Sequence, residues 1–131
     1  MRVSTRVTFA FGTAADNVWL LARVNDTSAM EQLAPDHSEA WRSLGVSLLH
    51  KLLLEDLVFK KFGGNPQFQY VHRVDETTAA LKARSHQLAC LVAPATIEHV
   101  SDIAAARETM PPKSTYFYPK LLSGLVVNSL T

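Results

Sequence analysis

The chain has 131 residues, 47% of them apolar and only 19% charged, with thirteen basic side chains against twelve acidic ones. That balance supplies a core for one globular domain and excludes a disordered tail, while a net charge of +1 leaves no basic excess to hold nucleic acid by charge. No apolar run approaches the roughly 18 residues of a membrane span, and a single cysteine, Cys90, excludes an internal disulfide framework or a CxxC metal site.

Val3 to Phe11 alternates in the manner of a strand, Gly12 to Asn17 is turn chemistry, and Val18 to Val24 resumes with β-branched, aromatic and aliphatic residues. The pattern predicts a β-hairpin at the very start of the chain, as expected for the C-terminal part of a longer protein. Asn25 to Ala34 is mixed and polar. Ser38 is placed to cap a helix over Glu39 to Leu44, and Gly45 breaks it. Val46 to Phe59 predicts a central helix that is apolar around most of its circumference, with Ser47, Lys51 and Glu55 as its polar stripe. Lys61 to Pro66, with Gly63-Gly64-Asn65-Pro66, reads as an exit loop.

Beyond that loop, Phe68 to Val71 reads as a strand and Asp75 as the cap of a helix from Glu76 to about Arg84. Gln87 to Ala93 reads as a second strand. Thr96 caps a helix from Ile97 to about Glu108, with Ile97, Val100, Ile103, Ala104 and Arg107 inward. Met110-Pro111-Pro112 stops that helix, and Gly124 to Val127 is a short closing strand. Strands alternating with helices predict a single α+β domain over residues 1–131. Its sheet is expected to be mixed, with an N-terminal hairpin, a buried central helix and βαβα-type units packed on the sheet.

The segment from Met110 to Val126, with Lys113-Ser114-Thr115-Tyr116-Phe117-Tyr118-Pro119-Lys120 at its centre, resembles the C-terminal signature of the bacterial and archaeal "domain of unknown function 1015" family. Leu44 to Leu54 is similar to that family's central-helix motif, and Val92 to Val100 to its strand, proline and helix opening. The resemblance covers roughly Ser38 to Leu130 and implies the C-terminal portion of a protein about three times as long. It carries no assigned activity. Gly45 stands where the family usually has an aspartate, and Arg73 lies near a usual acidic position, so no role passes to those carboxylates.

Two functional readings follow. In the first, the domain is a non-catalytic structural or interaction half that contributes a loop to a ligand site. It then packs against a second copy or a missing N-terminal domain, and exposes an apolar patch to do so. In the second, Lys113, Ser114, Thr115, Tyr116 and Lys120 cradle an anionic, phosphate- or carboxylate-bearing metabolite with His50 nearby. The plain alternative for that loop is a tight connection whose hydroxyls satisfy local backbone. For His50, packing on a buried helix is the favoured reading. His37, His72, His86 and His99 lack metal-ligand spacing, and Cys90 sits in an apolar run as a small buried side chain. No cofactor, metal, membrane or nucleic-acid partner is expected, and a reducing cytoplasm is the expected compartment.

Overall fold

The computed structural model describes residues 6–116 and 118. Strand alternation sets its layout. β1 (Thr8–Thr13) and β2 (Trp19–Arg23) form an antiparallel hairpin with Phe9 opposite Ala22 and Phe11 opposite Leu20. The turn between them is closed by the Asp16 carboxylate, which accepts from the Thr13 hydroxyl and from the Val18 N–H at 3.2 Å. Those bonds hold the Asp16 carboxyl below its usual range. Asn17 takes the left-handed backbone, φ 55°, which asparagine tolerates better than most residues. β3 (Leu88–Val92) pairs with the other edge of β1, also antiparallel, which gives the order β2-β1-β3.

Residues two apart on a strand share a face. Val7, Phe9 and Phe11 therefore lie with Val24, Cys90 and Val92 on the inner face, where Phe9 is completely buried. Helices cover that face. α1 (Ala29–Leu33) contributes Met30, and α2 (Glu39–Arg42) contributes Trp41. α3 spans residues 45–62 and supplies Leu48, Leu49, Leu52 and Leu54. α4 (Val74–Lys82) lies on the opposite side of the sheet at Gly12, and α5 (Ile97–Ala105) returns Ile103 to the core. Ser38 caps α2 by accepting from the Trp41 N–H at 3.2 Å, as expected. Thr96 caps α5 through a reciprocal pair: its hydroxyl accepts from the His99 N–H, and His99 Nδ1 accepts from the Thr96 N–H.

The central helix is continuous, but Leu48–Phe59 is wound as a π-helix, with hydrogen bonds reaching five residues back. The wider winding brings Leu49, Leu54 and Phe59, five apart, to the core side. Lys51 and Glu55 form an exposed ion pair at 2.9 Å, as do Lys60 and Asp56 at 3.2 Å. Ser47 does not join that polar stripe. It is buried, and its hydroxyl has no partner among the described residues.

The α+β class, the N-terminal hairpin and the central helix are present. Besides Ser47, other details differ from the sequence expectation. α4 starts at Val74 with Arg73 at its N-cap position, so Asp75 lies within the first turn and does not cap it. Residues 68–71 form no strand, because Phe68 and Tyr70 pack their rings on α3 instead of offering backbone to the sheet. Without that strand no βαβ crossover is formed among the described residues, and the described sheet is antiparallel rather than mixed. Ile97 is 70% exposed rather than inward, since α5 turns only Ile103 fully into the core. The expected strand at Gly124 to Val127 lies outside the described residues.

On the outer face, Gly12 is the point of closest approach. A Cβ there would sit 2.7 Å from Leu81 Cδ1 of α4 and 2.8 Å from the Trp19 ring. Gly12→Ala is therefore expected to destabilise the fold by about 1–3 kcal/mol through overpacking, measured by urea unfolding. An unchanged midpoint would mean that Leu81 and Trp19 yield freely.

Candidate functional site

The loop after α5 is built around Pro111 and Pro112. Lys113 takes a left-handed φ of 62° and is exposed, and the Ser114 N–H and hydroxyl both donate to the Pro111 carbonyl. The Ser114 hydroxyl is thus spent on local backbone, as in the tight-connection reading. Thr115 is exposed. Tyr116 stacks on His72 with ring centroids 4.0 Å apart. Phe117 and Lys120 lie outside the described residues.

His50 is half-buried on α3 and belongs to a ring cluster. Phe68 stands edge-on to it at 5.5 Å, Tyr70 lies 6.3 Å away, and Phe59 extends the group through Phe68. Burial holds the His50 imidazole below its ordinary value; Glu55 opposes that shift and Lys51 adds to it. A neutral ring packed on aromatics is a structural element of the helix surface. No hydrogen bond, ion pair or ring contact among the described residues joins His50 to Lys113, Ser114 or Thr115.

A shallow groove of about 220 Å³ lies elsewhere, lined by Leu33, Lys51, Glu55, Asp56 and Lys60. Its four charged side chains pair with one another, and no residue of the Lys113 loop lines it. Among the described residues no group of three His, Cys, Asp or Glu side chains could hold a metal ion, and no helix is long and apolar enough to cross a membrane. Burial pushes the Cys90 thiol up to about 12, so it is not a ready nucleophile.

Two features carry more information than the expected site. The first is a histidine–carboxylate pair. His37 Nδ1 lies 2.8 Å from Glu108 Oε2, the Ser38 N–H donates to Glu108 Oε1 at 2.7 Å, and the His37 ring stacks on Trp41 at 3.7 Å. Glu108 follows α5 while His37 and Ser38 open α2, so this carboxylate ties two helices together. The 71-residue separation leaves no local sequence signal for it.

The second feature is an uncovered apolar strand. Leu20 is 60% and Leu21 81% exposed on β2, beside Val18 and Trp19, which are also exposed. Among the described residues β2 has a neighbour on one side only. Its sequence signal was the unbroken apolar run from Val18 to Ala22, where a half-buried strand would alternate. No family model, curated protein or solved structure matches this chain.

The bonds from His37 and then Ser38 hold the Glu108 carboxyl below its ordinary 4.5. A carboxyl depressed in the folded state stabilises above its unfolded pKa, and that contribution is lost as pH falls through the folded value. The melting-temperature gap between the native protein and Glu108→Gln should be full above about pH 5 and close progressively below it. A gap independent of pH would show that the Glu108 charge is not what joins the helices.

Proposed function

We propose that this domain is a non-catalytic interaction module that offers the β2 edge and its apolar side chains to a protein partner. The observation that carries the reading is Leu21, 81% exposed on a strand paired on one side only among the described residues. Trp19 on the same face, and Leu20 and Val18 on the other, leave both sides of this edge strand with exposed apolar side chains, a feature of association surfaces. The scarcity of charge in this stretch adds support, because edges left open to solvent are ordinarily guarded by lysine, acid or proline. The resemblance of residues 110–126 to a family of longer proteins fits a half that docks on something else, and a cytoplasmic setting fits the single thiol. The alternative, an anion site at Lys113 to Lys120, has less support: the Ser114 hydroxyl is occupied and the groove lies elsewhere.

Leu21→Lys tests the reading. In solution dilute enough to dissociate any partner, a side chain that serves a partner rather than the core can be charged with a melting temperature changed by about 2 °C or less, while binding of the apolar dye bis-ANS falls several-fold. A loss of about 10 °C or more would show that Leu21 is packed within its own chain, and would overturn the reading. So would a saturable stabilisation by inorganic phosphate that Lys113→Ala abolishes.

A further inference from the structure

Two backbone bonds fix which groups of β2 are spent. Val24 donates to the Val7 carbonyl at 2.9 Å, and Thr13 donates to the Val18 carbonyl at 3.1 Å. Bonded and non-bonded pairs alternate along an antiparallel ladder. With Phe9 opposite Ala22, Ala10 opposite Leu21 and Phe11 opposite Leu20, the bonded residues of β2 are Leu20 and Ala22. Trp19, Leu21 and Arg23 direct their N–H and C=O groups away from β1.

We infer that β2 pairs antiparallel with β2 of a second copy of this chain, about a twofold axis through Leu21. This rests on the interaction reading above and names its partner. The strand is complementary to itself. Its outward groups fall at the first, middle and last residues of Trp19–Arg23, so the twofold sets Leu21 against Leu21 and Trp19 against Arg23. Up to about six backbone hydrogen bonds then close across the axis. The same operation sets Arg23 of one copy opposite Trp19 of the other on the outer face, where the Trp19 ring leans over Gly12 of its own β1. It also covers both Leu21 side chains.

Neither flanking acid opposes the pairing as a free charge. Asp16 accepts from the Thr13 hydroxyl and the Val18 N–H, and Asp26 accepts from the Ser28 N–H at 2.8 Å. The other sheet edge is the poorer candidate, because Cys90 and Val92, which face outward along its backbone, are already half-buried. The result is one six-stranded sheet in the order β3-β1-β2-β2-β1-β3.

A cysteine trap on the whole chain tests the inference. Bonded antiparallel partners have Cα atoms about 5.5 Å apart, within disulfide reach, so Leu21→Cys places two thiols across the axis. Under mild oxidation it should form a disulfide dimer at least tenfold faster than Leu88→Cys, a comparably placed apolar residue on the other edge. Leu21→Pro removes only an outward N–H, which an edge strand accepts. It should keep the fold and turn a wild-type dimer, seen by light scattering between about 1 and 500 µM, into a monomer. Equal oxidation rates and a wild-type monomer throughout that range would overturn the second-copy inference. If Leu21→Lys still lowers bis-ANS binding without unfolding the protein, the interaction reading survives with a different partner. If it unfolds the protein, the chain covers its own edge and both readings fall.

Discussion

The burial of Phe9 is the constraint on which the other elements depend. It lies at the middle of the sheet with no exposed surface, between Ala22 on one side and Val92 on the other. Fully burying a side chain of this size contributes about 1.5–3 kcal/mol. A slip of one residue would carry the whole β1 face to the wrong side, so Phe9 fixes the register of both neighbours. Val7, Phe11, Cys90 and Val92 then join the core, and Leu48 and Leu49 of α3 close over it.

The same register decides what is left uncovered. Because the odd-numbered residues of β1 bond to β2, the outward groups of β2 can only be those of Trp19, Leu21 and Arg23. The helices crowd onto the inner face, and α4 covers the outer one at Gly12 and Trp19. Leu21 is left in solvent on that outer face, while Leu20 lies on the inner face but beyond the reach of the core. The proposed interaction surface is therefore a remainder of the packing that holds the fold together. The long-range tie from Glu108 to His37 and Ser38 serves a different end, anchoring the segment after α5 to the start of α2.

Features governed by local chemistry were legible in the sequence. The hairpin follows from alternation and turn residues, the two helix caps at Ser38 and Thr96 from hydroxyl placement, and the central helix from its leucines. The helix Ala29–Leu33 leaves little trace in the sequence, because only Met30, Leu33 and Ala34 mark its inner side within a polar stretch. Residues 68–71 read as a strand because β-propensity reports a fit to a half-buried surface, and here that surface is the side of α3. The loop from Pro111 to Thr115 supports two readings in the sequence for a similar reason. Residue types suited to phosphate are also those that close tight turns, and only the bond from Ser114 to Pro111 tells the two apart.

Amide hydrogen exchange along β2, followed as a function of protein concentration, tests the central claim most directly. In dilute solution Leu20 and Ala22 should be protected while Trp19, Leu21 and Arg23 exchange freely. On concentration, those three amides should gain protection together. Protection of all five in dilute solution, or no gain at any concentration, would contradict an edge that is open in the single chain and closed by a second copy.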